Sequence, residues 1–172
     1  NWSISASDAT PENGATGIVD AIDALTVNHA PVHHLALNTP DNIEAGSVSR
    51  AAYTVTLQDL YNNTAKITGS TTTISLTSTS TGANKKFYSA ASGGSVINQV
   101  VLASGVSSAN FWYYDEKTGT HTITSTFSNL VSGTDEITVT PSLLKNFVVS
   151  GVSDPHDLGV MQTVTVEALD TY

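Results

Sequence analysis

Residues 110–126 read NFWYYDEKTGTHTITST, and the distribution of its four consecutive ring-bearing residues between two faces decides the fold. In a β-strand successive side chains point to opposite faces, so Phe111 and Tyr113 share one face while Trp112 and Tyr114 share the other. One pair enters a core; the second lies at an edge, at a junction between domains, or in solvent. Asp115-Glu116-Lys117-Thr118-Gly119 then supplies turn residues. Beyond the turn, His121, Ile123, Ser125 and Phe127 face inward and Thr120, Thr122, Thr124 and Thr126 outward. The stretch therefore reads as core strand, turn, core strand. A competing reading makes Trp112, Tyr113 and Tyr114 a flat platform for a glycan, the site of a carbohydrate- or host-binding adhesin module. A sugar site also needs converging acids and amides, so the strand reading is the stronger one.

The same period of two recurs along the chain. It predicts strands over 32–37, 52–57, 72–76, 99–102, 110–114, 121–127, 136–139, 147–149 and 162–168. Asn62-Asn63, Gly69, Gly82-Ala83-Asn84, Gly93-Gly94, Gly105 and Ser132-Gly133 punctuate them. One segment, 17–25, places Ile18, Ala21, Ile22 and Leu25 at helical spacing for two turns, although Leu25 and Val27 also alternate as the start of a strand. Many short strands at this spacing predict an all-β sandwich.

Six Lys and Arg against fifteen Asp and Glu give a formal charge of −9. Such a chain has no cationic surface with which to neutralise phosphates, which excludes nucleic acid and an anionic membrane surface as partners. No apolar stretch approaches the length that crosses a bilayer, so membrane insertion is not expected, and no leader of charged then apolar residues opens the sequence. A secreted origin would make this a processed or excised piece. Cysteine is absent, so neither disulfides nor thiolate chemistry contribute, and stability comes from packing or from neighbours.

Comparison of the chain with itself organises it. AAYTVTLQDLY at 51–61 aligns with QTVTVEALDTY at 162–172, 111 residues on: Tyr53, Val55 and Leu57 fall on Val164, Val166 and Ala168, and Thr54 and Asp59 on Thr165 and Asp170. HHLALNTP at 33–40 corresponds loosely to KNFVVSGV at 145–152. WSISAS at 2–7 resembles HTITST at 121–126, and DALTVNHAP at 23–31 resembles DEITVTPSL at 135–143. The expected organisation is a window on a tandem array: closing strands of one repeat over 1–30, a complete repeat over 31–140, and opening strands of another over 141–172. The opening segment leaves Phe147, Val149, Val164 and Val166 uncovered, and the closing segment leaves Trp2, Ile4, Leu25 and Val27. These fragments are complementary. They can pair within a chain, pair with neighbouring repeats or identical subunits by strand completion, or pack against the central domain; completion is favoured.

Gly46 followed by TVTLQDLYNNTA (54–65), then ITGSTTTISLTSTS (67–80), then FWYYDEKTGTHTITST (111–126) resembles the bacterial immunoglobulin-like (Big-type) repeats of large cell-surface or secreted proteins. The resemblance runs through the chain as one full and two partial repeats. It departs at Asn62, where Gly is common; Asn also tolerates positive φ, so the turn is kept. The resemblance implies an immunoglobulin-like Greek-key β-sandwich and an extracellular location. It also implies a role as stalk, spacer, surface-layer or filament building block, or adhesin module, without catalysis.

Candidate sites are few. Asp20 and Asp23 precede the first expected domain boundary, Asp41 and Glu44 follow it, and Asp154 and Asp157, with His156, occupy the corresponding loop of the next repeat. Such loop acids are the ligand type for calcium between domains, the one cofactor the sequence suggests, although no EF-hand spacing is present. Asp59 and Asp170 occupy equivalent turns and are expected to cap them. His29, His33 and His34 lack cysteine partners, and strand alternation puts His33 and His34 on opposite faces. Adjacent Asp115 and Glu116 do not make a glycosidase pair, and GVSSA at 105–109 is no nucleophile elbow. Asn1 and Asn62 begin Asn-x-Ser/Thr sequons.

Overall fold

A computed structural model describes residues 2–6, 21–38, 40, 42–155 and 157–172, with 2–6 and 21–25 described by their backbone. The strands are β1 (Trp2–Ala6), β2 (Ala21–Leu25), β3 (Val32–Leu37), β4 (Ile43–Glu44), β5 (Ala51–Asp59), β6 (Thr72–Ser78) and β7 (Lys86–Tyr88). They continue with β8 (Val96–Ile97), β9 (Gln99–Leu102), β10 (Ser108–Tyr114), β11 (Gly119–Thr126), β12 (Gly133–Thr140), β13 (Asn146–Ser150) and β14 (Thr165–Leu169). Two five-stranded sheets, β3-β5-β10-β7-β8 and β4-β12-β11-β6-β9, form the centre. All their pairings are antiparallel except the short parallel pairing of β4 with β12. The pairs β1-β2 and β13-β14 are separate two-stranded antiparallel sheets. The fold is an all-β sandwich.

Alternation makes this architecture. β5 buries Ala51, Tyr53, Val55, Leu57 and Asp59 and leaves the residues between them toward water; β6, β11 and β12 follow the same rule. The inward sets of the two sheets meet as one core, with Leu35, Val55, Leu57 and Phe111 from one sheet and Ile74, Leu102, Ile123, Ile137 and Val139 from the other. Phe111 is fully buried. Its ring stacks on Tyr53 with centroids 5.1 Å apart and meets Phe87 edge-on at 5.7 Å. Such ring pairs add to the stabilisation that burial itself provides.

Two tyrosine hydroxyls carry polar links across that core. Tyr53 donates to Asp135 Oδ2 on the facing sheet at 2.9 Å. Tyr113 donates to Asp115 Oδ2 at 2.5 Å and lies 2.9 Å from Ser78 Oγ of β6. Burial first, then the neighbouring carboxylate, pushes both phenols above their ordinary range, so both stay protonated donors. Asp115 is itself wholly buried and accepts from the backbone N–H groups of Glu116 and Lys117 at 2.8 and 2.9 Å. A Cβ on Gly82 would stand 2.5 Å from Asp115 Oδ1, which explains glycine there.

Several local features differ from the sequence reading. The helical spacing over 17–25 does not make a helix within the described residues, since 21–25 form β2. β4, β7 and β8 were not expected; strands of two or three residues are too short to display a period. A bulge between Val32 and His34 breaks the alternation, so His33 and His34 touch, Nδ1 to Nδ1 at 3.4 Å, instead of parting to opposite faces.

Registers repeat along the chain. In β3-β5, Leu35 pairs with Leu57 and Leu37 with Val55; in β13-β14, Phe147 pairs with Ala168 and Val149 with Val166. In β11-β12, His121 pairs with Ile137 and Ile123 with Asp135; in β1-β2, Trp2 pairs with Leu25 and Ile4 with Asp23. Each flanking hairpin thus has the register of the central hairpin that its sequence matches.

Phe111→Ala is expected to lower the unfolding free energy by about 3–5 kcal/mol, the range for a large aromatic removed from a tight core. Trp112→Ala, one residue along but on the outer face, is expected to cost clearly less. Urea melts of the two variants check the alternation directly.

Candidate functional site

The most developed polar site lies where the chain enters the central sandwich. β5 ends in Asp59, whose carboxylate is almost wholly buried. Oδ1 accepts from the backbone N–H groups of Tyr61 and Asn63, both at 2.9 Å. The Asn63 side-chain amide lies 3.1 Å from Oδ2. Asn62 adopts φ 64°, the left-handed conformation that Asn accepts more readily than most residues. These are the bonds of a capped turn. One further bond reaches outside it: Ala30 N–H, in the segment leading into β3, donates to Asp59 Oδ2 at 2.9 Å. The carboxylate therefore holds the turn and the incoming chain together.

Burial alone would raise the Asp59 carboxyl. The Asn63 amide and the backbone donors of Ala30, Asn63 and Tyr61 outweigh it and hold the group at about 2, against 3.8 ordinarily.

The same construction recurs at the other end of the sandwich. Ser142 N–H donates to Asp170 Oδ2 at 2.8 Å, and Tyr172 N–H to Asp170 Oδ1 at 2.9 Å. Ala30 and Ser142 are 112 residues apart, Asp59 and Asp170 111, and Tyr61 and Tyr172 111. The aligned donors reach the same two oxygens of the aligned carboxylate. At this second junction the Tyr172 ring lies directly over Gly46, where any Cβ would collide with it.

The aromatic run divides between the faces. Tyr113 lies in the core with its hydroxyl bonded to Asp115, which corrects its assignment to a ligand platform. Trp112 and Tyr114 lie half-buried on the outer face, and Trp112 pairs across the strands with Tyr88. The Arg50 guanidinium covers the Tyr88 ring at 3.3 Å, and its Nη1 donates to the carbonyls of Ala90 and Gly93 at 2.7 and 2.8 Å. Tyr114 donates to Glu116 Oε1 at 2.7 Å, and Asn84 Nδ2 donates to Oε2 at 2.5 Å. The Asn84 bond and then the Tyr114 bond hold the Glu116 carboxyl below its ordinary range. These bonds pave the face, and beside them Gly46, Arg50, Tyr88, Gly93 and Tyr114 line a hollow of about 350 Å³.

Among the described residues, the remaining candidates are not brought together. Asn1, Asp20, Asp41 and His156 lie outside the described residues, and Asp23 is described by its backbone. Among the described residues, no group of three or more His, Asp or Glu is placed to hold a metal ion. Asn62 is exposed at the turn tip. Sequence reasoning missed the partners of the two aspartates in the incoming chain; the matched offsets of Ala30 with Ser142 and Asp59 with Asp170 are the signal that reveals them.

No protein-family profile matches the sequence, and no curated protein matches it. Solved structures do. A glycosyl hydrolase family 2 member from Bacteroides cellulosilyticus superposes with a TM-score of 0.50 and 14% identity, over 76% of this chain and 16% of its own. A beta-glycosidase from Bacteroides vulgatus gives 0.50 and 13%, over 72% of this chain and 16% of its own. Domains 4–9 of the surface layer protein SbsC give 0.43 and 16%, over 88% and 22%. The chain thus spans about a sixth of each glycosidase, and the likeness to them is one of fold: a β-sandwich domain within a larger protein.

The Asp59 carboxyl titrates lower in the folded chain than unfolded, so its contribution to stability is present above about pH 4 and is lost as pH falls toward about 2. Asp59→Asn, which cannot accept the Ala30 bond as a carboxylate does, is expected to lower Tm at pH 7. Melting both proteins from pH 7 to pH 2 should show the difference shrinking below pH 4. A constant difference would count against the carboxylate as its source.

Proposed function

We propose that this chain is a structural segment of an extracellular cell-surface or fibrous protein, a spacer whose junctions are held in line. The observation that carries the reading is the pair of carboxylate clamps. Ala30 N–H on Asp59 and Ser142 N–H on Asp170 tie each connecting segment to the turn that follows it. A connector fixed at both its strands and its backbone N–H has little hinge freedom, whereas an untethered peptide of similar length would behave as a flexible joint. The net charge of −9 with Ser/Thr-rich outer faces suits a surface that stays wet and does not self-associate through its sides.

In this reading the chain contributes position and reach rather than chemistry. The sandwich likeness to portions of large glycosidases is compatible with a supporting domain beside a catalytic one, and equally with a stalk. Both uses need the same property, a fixed angle from one unit to the next.

Residual dipolar couplings on the full 172-residue chain test it. The central sandwich and the β13-β14 hairpin should share one alignment tensor. In Asp170→Ala the hairpin tensor should shrink and diverge while the sandwich couplings stay unchanged. Independent tensors in the unaltered chain would refute the in-line spacer.

A further inference from the structure

A sugar site on the aromatic run needs an acid and amides beside the rings, and the outer face of the first sheet supplies both. Trp112 shares that face with Asn110 and Tyr114. Across the strands it pairs with Ala52 of β5 and Tyr88 of β7. Ala52 is small and exposed, so the β5 side of the indole stands open. Asn110 is exposed and accepts the Thr54 hydroxyl on Oδ1, which leaves its amide N–H groups to donate. Glu116, bonded to the Tyr114 hydroxyl and to Asn84, fixes the Tyr114 ring as one wall of the hollow beside it. Among the described residues that line this hollow, Arg50 alone is charged; Ser47 and Ser92 add hydroxyls. The Arg50 guanidinium rests on Tyr88, and both its carbonyl bonds leave from Nη1. Nε and Nη2 therefore remain as a second pair of parallel donors, and among the described residues no carboxylate forms an ion pair with them. Lys86 pairs across the strands with Tyr114, Lys85 precedes it, and Lys117 follows Glu116. Four of the six basic residues thus gather at this end of β10. Asp115 and Glu116, among them in the chain, are respectively buried and bonded through both oxygens.

We propose that this face binds an acidic oligosaccharide, with a sugar ring stacked on the Trp112 indole and a carboxylate held by Arg50 through Nε and Nη2. The role is additional to the spacer and independent of it. Tyr88 sets the spacing. It stands one cross-strand step, about 5 Å, from Trp112, and the guanidinium lies 3.3 Å over its ring. Indole and donor fork are therefore about one pyranose ring apart. A pyranose presents C–H groups on its flat faces and hydroxyls round its rim. The indole covers the first, while the Asn110 amide and the hydroxyls of Ser47 and Ser92 meet the second. The Arg50 fork is planar and always charged, which suits a carboxylate better than a neutral hydroxyl. The Tyr88 face beneath it and the two carbonyls on Nη1 hold that plane before any ligand arrives. A neutral sugar would strip water from the fork without giving it an anionic partner. The hollow, about 350 Å³, lies at the small end of the range for ligand sites and takes a single acidic sugar unit. The rest of the oligosaccharide then runs along the outer face over Trp112 toward Asn110.

The test titrates the full chain with hexagalacturonate, an oligomer of an acidic sugar, and follows its N–H groups by NMR. The Trp112 Nε1–H and Arg50 Nε–H signals should move saturably, with half-saturation at or below about 1 mM. Backbone signals of β7, β10 and the loop 89–95 should move with them, while those of β12 stay in place. Trp112→Ala and Arg50→Gln should each weaken binding at least about tenfold. Arg50→Lys keeps the charge but loses the fork, and should restore only part of the affinity lost in Arg50→Gln. Unchanged signals from buried Phe111 and Ile137 in each variant separate lost binding from lost folding. Cellohexaose, a neutral counterpart, should bind at least about tenfold more weakly than the acidic oligomer. Polyglutamate, which has carboxylates but no sugar, should leave the Trp112 signal where it is. No saturable movement at millimolar hexagalacturonate, movement that avoids Trp112 and Arg50, or variants that bind like the unaltered chain would overturn the proposal. Equal binding of cellohexaose would overturn the acidic assignment, and equal binding of polyglutamate the saccharide one.

Discussion

The sandwich depends on one constraint, the opposite facing of neighbouring side chains in β10. Phe111 and Tyr113 go inward and Trp112 and Tyr114 outward, and this fixes the layers of the first sheet. Phe111 fills the middle of the interface by stacking on Tyr53 and meeting Phe87. Tyr53 and Tyr113 extend past that apolar layer, and their hydroxyls find Asp135 and Ser78 on the other sheet. The same side chains therefore supply apolar area and set the separation and register of the two sheets. A slip of one residue would exchange Tyr113 for Trp112 and strand Asp115 without its phenol. In a chain with no cysteine, this combination of ring packing and buried hydrogen bonds takes the place of disulfide crosslinks.

Asp59 applies the same economy of means at the junction. A carboxylate is acceptor-only and has room for several donors, so it can hold two turn N–H groups, an amide and the N–H of Ala30 at once. An Asn in its place would present one acceptor oxygen and one donor group, and the donor would face the Ala30 or turn N–H. The short Asp side chain keeps the charge within reach of the turn backbone. The arrangement recurs at Asp170, with the matching donors on the same two oxygens.

What the sequence made legible follows from the length of each signal. β5, β6, β11 and β12 run seven to nine residues and display their period plainly. β4, β7 and β8, of two or three residues, owe their existence to strands already in place beside them, which no local pattern records. The His33 bulge is invisible for the same reason: an extra residue is defined only against the partner strand. Alternation separates Tyr113 from Trp112 and Tyr114, but a run of four aromatics does not say which face is covered until the opposing sheet is known, and the competing platform reading therefore takes all three. At the junction, the turn-capping bonds of Asp59 span two to four residues and are readable locally. The bond from Ala30 spans 29, and only the repeat brings it into view.

The junction also explains why an apolar hairpin face can stand ordered without cover. Two strands alone in water are at best marginally stable, because one ladder of hydrogen bonds does not offset the backbone entropy lost in forming it. β13-β14 has help at one end. Asp170 gathers the N–H groups of Ser142 and Tyr172, Lys145 N–H bonds to the Leu169 carbonyl, and Tyr172 rests on Gly46 of the finished sandwich. The hairpin is thus anchored to the sandwich and keeps its register with Phe147 and Val166 exposed. The strands and the connector hold the register and bonds that their counterparts hold in the central sandwich. The bonds that gather the connector at Asp170 are therefore also the ones that order this hairpin.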